Sequence, residues 1–151
     1  MVYFIGAGAG DPGLLTIKGK KIIDSCDIII YAGSLVNKDL FTDIKKGAKL
    51  ISSASLTLEE VLEIIYTADK KGLHIARVHT GDPSMYSAIR EQMVALEHKN
   101  IEYEVIPGVS SVFAGAAALK REFTLPGVTQ TLILTRMEGR TPVPSSENIE
   151  S

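Results

Sequence analysis

The stretch VYFIGAGAGDPG, residues 2–13, is a short apolar run that ends in a glycine-rich turn. Apolar residues at helical spacing follow from Leu14 to Ser25, and a continuous apolar run comes next, from Ile28 to Tyr31. A continuous run, rather than an alternating one, is typical of a strand that is covered on both faces in a parallel sheet. Two such strands joined by a helix predict a βαβ unit.

The same alternation of strands and helices continues along the chain. Thr57-Leu58-Glu59-Glu60 has the form of a capping box at the start of a helix. Further strands are predicted at 75–79, 103–106 and 130–135, and further helices at 87–99 and 110–121. This order predicts an α/β fold, an open and mostly parallel sheet with helices on both faces.

Composition narrows the classes of function. The 151 residues carry a formal net charge of -2 with scattered charges, so the basic stripe that a nucleic acid needs is missing and no nucleic-acid partner is expected. No apolar run approaches the roughly 20 residues of a membrane span, so we expect no membrane partner and a cytoplasmic location. The single cysteine, Cys26, excludes a disulfide framework and is expected to be a buried structural thiol.

Chemistry in a parallel sheet is expected outside the carboxyl ends of the strands, which here are followed by glycine-containing loops. Gly10-Asp11-Pro12 follows the first strand and Gly81-Asp82-Pro83 follows the strand at 75–79. The position of each aspartate is typical of a residue that only caps the following helix. Two such turns at corresponding strand ends nevertheless favour a shared site. Pro107-Gly108-Val109-Ser110-Ser111 follows the strand at 103–106 and adds two small hydroxyls.

A dinucleotide-binding site is the first alternative to weigh. Its fingerprint needs a third glycine where Asp11 stands and an acidic residue at the end of the second strand, where Tyr31-Ala32-Gly33 stands. Both departures disfavour a dinucleotide-dependent oxidoreductase. A non-catalytic binding or dimerisation module stays open as a further alternative.

The three loops at 6–12, 81–86 and 107–111 stand in the order and spacing of a known motif set. Through them the chain resembles the tetrapyrrole methylase family. The resemblance implies that S-adenosylmethionine is the methyl donor and that the glycine-rich loop at 6–12, with Gly8, Gly10 and Asp11, faces a tetrapyrrole substrate. It implies that the donor is bound by Ala9, Thr80, Gly81, Asp82, Met85, Ser110 and Ser111.

Within the family, three segments point to one substrate. Residues 31–37, 77–80 and above all 134–144 resemble the methylases that act on cobalt-precorrin-4 at carbon 11 in cobalamin biosynthesis. Siroheme-type methylases and other precorrin methylases share the glycine-rich turns and stay open as alternatives. The sequence departs from the family at Ala9, where proline is frequent, and at Gly33, near which siroheme-forming relatives carry an aspartate proposed as a base.

The catalytic candidates follow from the chemistry of methyl transfer. An electron-rich ring carbon and an activated sulfonium need alignment more than a strong acid or base. If a proton must be removed, the candidates in the loops are Asp11, Asp82, Tyr86 and His79. Arg136 and Arg140 are candidates for binding the carboxylates of the substrate, because guanidinium groups bind carboxylates in bidentate fashion. No metal ligand is predicted.

The resemblance also implies a domain organisation. Family members have two α/β domains with the donor between them, so we expect an amino-terminal domain over residues 1–126 and, over 127–151, the first strand and linker of an incomplete second α/β domain. We therefore expect the 151-residue chain to bind S-adenosylmethionine weakly or not at all and to show no turnover. A homodimer is expected, and an exposed strand at 130–135 would favour pairing with a second copy.

Overall fold

The computed structural model describes residues 1–137 and 142–147, and its centre is a five-stranded sheet in which every strand pair is parallel. The spatial order of the strands is β3-β2-β4-β1-β5. The strands are β1 Val2–Gly6, β2 Ile28–Tyr31, β3 Lys49–Ser52, β4 Ile75–His79 and β5 Tyr103–Ile106. The helices are α1 Ile17–Ser25, α2 Leu58–Asp69, α3 Ile89–Glu97 and α4 Ser111–Ala118. The predicted α/β fold is confirmed.

The core has two layers, one on each face of the sheet. On one face, Phe4 and Ile30 pack with Ile65 of α2 and Leu96 of α3. On the other face, Ile5, Ile29 and Val78 pack with Ile23 of α1 and with Cys26. Cys26 is a free, buried thiol whose pKa is raised to about 12, chiefly by burial, so it packs as a small apolar residue, as predicted.

Local capping sets where the helices begin. The predicted capping box of α2 is present, because Thr57 Oγ1 accepts from Glu60 N at 3.2 Å and Glu60 Oε2 accepts from Thr57 N at 2.8 Å. Asp11, expected to cap α1, instead caps a short 3₁₀ helix over Pro12–Leu14, and Thr16 caps α1. The predicted helix at 87–99 begins later, at Ile89, because the residue before it, Ala88, has a left-handed backbone.

The strands of the structure differ from the predicted ones in two places. Strand β3 was not predicted, because it is an edge strand whose four residues are mostly exposed and show no continuous apolar run. The predicted strand at 130–135 does not form. A strand exists only through hydrogen bonds to a neighbour, and no pairing partner for this segment occurs among residues 1–137 and 142–147. The exposed edge expected there is therefore absent from the described chain.

The contacts divide the chain into two compact units, Met1–Gly115 and Ala116–Ser151. The first contains the sheet. Within the second, an isolated bridge joins Leu125 to Thr129. The domain boundary expected after residue 126 stays a prediction. In the part of the chain that the structure covers, no helix has the length and apolar character needed to cross a membrane.

Candidate functional site

The loops after β1, β4 and β5 meet at one edge of the sheet, because β1 lies between the other two strands. Gly8 N donates to the Gly81 carbonyl oxygen at 3.2 Å, and Gly81 N donates to the Gly8 carbonyl oxygen at 2.8 Å. A Cβ on Gly6 would lie 2.5 Å from the Gly81 oxygen and 2.6 Å from Gly108 Cα. The three loops are therefore in backbone contact, which only glycine permits.

The Asp82 carboxylate joins two of these loops. Its Oδ1 atom accepts from Ser84 N at 2.8 Å within its own turn, and its Oδ2 atom accepts from Gly108 N at 2.9 Å in the loop after β5. Since each oxygen already accepts a backbone N–H, the carboxylate is held in one orientation. Asp82 thus fixes the position of the loop after β5 relative to the loop after β4.

A cavity of about 330 Å³ opens between the loops. All seven residues predicted to bind the donor line it, and so do Gly8, Gly10 and Tyr86. Leu35, an exposed side chain at the end of a 3₁₀ helix, completes the lining and was not predicted. The lining is Gly8, Ala9, Gly10, Leu35, Thr80, Gly81, Asp82, Met85, Tyr86, Ser110 and Ser111. The structure brings these residues together; their roles in binding stay predictions.

The catalytic candidates occupy different places. Tyr86 lines the cavity, is 62% exposed and has a left-handed backbone with φ of 53°. Asp11 is exposed and absent from the lining, and its Oδ1 atom accepts from Gly13 N at 2.8 Å. Asn37 Nδ2 donates to the Gly10 carbonyl oxygen at 3.1 Å, which ties the loop that carries Asp11 to the segment after β2. The roles proposed for Asp11 in catalysis and substrate binding stay predictions.

His79 ends strand β4 beneath the site and is only 2% exposed. Its Nε2 atom has no hydrogen-bond partner among the described residues, and its ring lies 6.1 Å from the ring of Phe4. Burial, and next the charge of Arg77, lower the pKa of His79 to about 3. A buried, neutral imidazole outside the cavity lining is not placed to act as the base.

The buried imidazole predicts a pH dependence of stability. Between about pH 3 and 6.5 the folded ring stays neutral while the ring in the unfolded chain takes up a proton. The free energy of unfolding therefore falls as the pH drops through this window, with a contribution of up to about 1.4 kcal/mol per pH unit from His79. Urea unfolding of a His79→Leu variant from pH 4 to 7 should show a shallower slope.

The exposed His98 provides the control. A His98→Gln variant should keep the slope of the unaltered chain. An unchanged slope in His79→Leu would contradict the attribution of this pH dependence to the buried ring of His79.

The two arginine candidates for substrate binding lie in the second unit. Arg136 Nη2 donates to the Pro142 carbonyl oxygen at 2.9 Å. Arg140 lies outside the described residues. Their proposed contacts with substrate carboxylates stay predictions.

A larger cavity, of about 690 Å³, lies elsewhere in the first unit. Its lining comes from β2, β3, α2 and adjoining turns, with Ile28, Ile51 and Ile64 among its apolar residues. None of the three glycine-rich loops contributes to its lining. The smaller cavity is the better candidate site, because ligands of parallel sheets bind outside the carboxyl ends of the strands.

The smaller cavity offers a mixture of groups. Thr80, Ser110 and Ser111 contribute hydroxyls, while Met85 and Leu35 contribute apolar surface. Among the residues that the structure covers, no group of histidine, cysteine, aspartate or glutamate is arranged to hold a metal ion. The arrangement suits an organic ligand with both polar and apolar parts.

Comparison with known proteins agrees with this geometry. The family model of the tetrapyrrole (corrin/porphyrin) methylases matches residues 1–150. A cobalt-precorrin-4 C(11)-methyltransferase of Methanocaldococcus jannaschii is 53% identical over 148 residues, which are 98% of this chain and 57% of that protein. The chain therefore spans a little over half the length of this relative.

Solved structures give the same result. The X-ray structure of a cobalt precorrin-4 methyltransferase is 51% identical and superposes with a TM-score of 0.92, covering 97% of this chain and 61% of that one. A uroporphyrin-III C-methyltransferase of Thermus thermophilus, complexed with S-adenosylhomocysteine, is 25% identical with a TM-score of 0.65, covering 76% of this chain and 47% of that one. The chain belongs to the tetrapyrrole methylase family.

Proposed function

We propose that this chain forms the donor-binding part of an S-adenosylmethionine-dependent methyltransferase that methylates cobalt-precorrin-4 at carbon 11. The observation that carries the proposal is the cavity into which three loops bring all seven predicted donor-binding residues. The name of the relative that is 53% identical supports the substrate, and the neighbour solved with S-adenosylhomocysteine supports the donor. A homodimer in the cytoplasm is part of the same proposal.

The residues present fit the donor. A Cβ on Gly81 would be in ordinary van der Waals contact with Ser110 Cα, at 3.8 Å, so it would fill space between the two loops that the glycine leaves open. Ser110 is buried, and its Oγ atom accepts from Val112 N at 3.4 Å, which leaves the hydroxyl hydrogen free to be donated to a ligand. Met85 provides apolar contact in the same cavity.

The residues of the chain would act mainly by alignment. When bound, S-adenosylmethionine supplies a methyl group activated on a sulfonium. The loops, held together by Asp82 and by the Gly8–Gly81 hydrogen bonds, fix the direction from which an electron-rich ring carbon approaches. Apart from Asp82, whose two oxygens already accept backbone N–H groups, Tyr86 is the one titratable side chain in the described lining, so it is the better placed candidate for proton transfer, accepting a proton only as the phenolate.

Titration with S-adenosylhomocysteine tests the donor site. In the full-length gene product, calorimetry should detect binding of S-adenosylhomocysteine and none of NAD. A Thr80→Val variant should bind about tenfold more weakly if the Thr80 hydroxyl donates one hydrogen bond to the ligand. Thr67→Val, the same change at an exposed position on α2, should bind normally.

The substrate is tested separately. Radiolabelled methyl transfer by the full-length gene product should occur with cobalt-precorrin-4 and not with uroporphyrinogen III, while the 151-residue chain alone should show no turnover. Binding of NAD in preference to S-adenosylhomocysteine would refute the proposed donor. Transfer to uroporphyrinogen III alone would refute only the proposed substrate and favour a siroheme-type enzyme.

A further inference from the structure

A separate cavity of about 370 Å³ lies between the first turns of α2 and α3, on the face of the sheet away from α1. It shares no lining residue with the candidate donor cavity. Strand β4 contributes one residue, Arg77, at its base. The full lining is Ser53, Leu56, Thr57, Leu58, Val61, Arg77, Ser87, Ala88, Glu91 and Gln92.

Arg77 is a buried cation with no counter-ion in the part of the chain that the structure describes. Its side chain is only 7% exposed, and it donates from Nε to Gln92 Oε1 and from Nη1 to the Ile30 carbonyl oxygen, both at 3.3 Å. Within residues 1–137 and 142–147, no carboxylate forms an ion pair with it. Burial lowers the pKa of Arg77 to about 10, so the guanidinium stays charged at neutral pH. A buried charge with neutral partners only is costly unless an anion compensates it.

The groups around Arg77 suit an anion. Helix α3 begins after Ala88, which gives no side-chain cap, so the N–H groups of its first turn lack that partner. Ser53, Thr57 and Ser87 line the same space, where the Ser53 hydroxyl donates to the Tyr31 carbonyl oxygen and the Ser87 hydroxyl to that of Met85. Two carboxylates oppose an anion: that of Glu91 lines the cavity but is exposed and can turn toward solvent, and that of Glu60 accepts from Thr57 N at the rim.

We propose that this cavity binds a small oxyanion, a phosphate or a carboxylate group, through the Arg77 guanidinium and the backbone N–H groups in the first turn of α3. The oxyanion neutralises the buried cation and accepts the guanidinium hydrogens that neither Gln92 nor Ile30 takes. The site is independent of the donor cavity and of the methylation proposed above.

The test uses inorganic phosphate and acetate as probes. Phosphate should bind the chain saturably, with a dissociation constant on the order of 1 mM, and should raise the thermal unfolding midpoint above that in sodium chloride of equal ionic strength. Acetate in place of phosphate distinguishes a carboxylate occupant from a phosphate occupant. Arg77→Met should abolish both effects, whereas Arg121→Met, which removes an exposed guanidinium outside the cavity lining, should keep them.

Two variants in α3 keep the test decisive if Arg77→Met does not fold. Gln92→Glu places a carboxylate at the atom that Arg77 already contacts, so it should supply the counter-ion internally and weaken phosphate binding by at least about tenfold. Glu91→Gln removes the opposing charge and should strengthen binding several-fold. Saturable binding that both changes leave unaltered, or the absence of any binding of phosphate and acetate to the unaltered chain, would overturn the proposal.

Discussion

Gly108→Ala is expected to be among the most destabilising single substitutions in the chain. A Cβ at this position would lie 2.1 Å from the Gly81 carbonyl oxygen and 2.7 Å from Gly6 Cα. Both are backbone atoms of neighbouring strand ends, so no side chain can rotate away to make room. Separating the three loops should lower the free energy of unfolding by about 3 kcal/mol or more, and the thermal midpoint by roughly 10 °C.

Gly115→Ala is the matched control for this change. Gly115 lies in helix α4, and a Cβ there would meet no atom within 4 Å. Alanine favours a helix over glycine by up to about 1 kcal/mol, so this variant should be as stable as the unaltered chain or more stable. Thermal and urea unfolding of the two variants would measure the difference. Equal stability would show that the loops are not packed as described.

Asp82→Asn should loosen the site while leaving the size of the side chain unchanged. The carboxylate accepts backbone N–H groups at both oxygens, one from Ser84 and one from Gly108. An asparagine amide has a single acceptor oxygen, and its NH₂ group would then face an N–H donor. Loss of this hydrogen bond to a charged group should cost about 2 kcal/mol of stability. Binding of S-adenosylhomocysteine by the full-length gene product should weaken together with stability.

The second Gly-Asp-Pro turn provides the comparison. In an exposed turn, Asp11 Oδ1 accepts a hydrogen bond from Gly13 N, and an asparagine oxygen can accept the same bond. Asp11→Asn should therefore change stability by no more than about 0.5 kcal/mol. If the two variants lost equal stability, Asp82 would be no more than a turn-capping residue. Retained affinity in Asp82→Asn would argue against its role in positioning the loops.

Strands β1, β2 and β4 were predictable because they carry apolar runs that the sheet buries, and β5, a half-buried edge strand, was predictable because it still ends in the apolar pair Val105-Ile106. Strand β3 lies at the edge, where exposed residues such as Lys49 and Leu50 remove that signal. At 130–135 the apolar run predicted a strand that does not form, because strand formation depends on a neighbour as well as on local preference.

The lining of the candidate cavity was largely predictable from the sequence, whereas the hydrogen bonds that join its loops were not. The carboxyl ends of parallel strands share one edge, so loops 6–12, 81–86 and 107–111 were expected to meet. The hydrogen bond from Gly108 to Asp82 was not predictable, since it depends on β1 lying between β4 and β5. Leu35 was missed for a similar reason, because no local pattern places the segment after β2 beside the cavity.

The strand order also has a kinetic consequence. Val2 pairs with Ile75 on one side and with Tyr103 on the other. Both strands that flank β1 in the sheet are therefore distant from it in the sequence. Such long-range pairings form slowly and only after distant segments have met. A folding intermediate that contains only the first βαβ segment would lack every wall of the donor cavity contributed by β4 and β5. Ligand binding during refolding should therefore not appear before β4 and β5 have paired with β1.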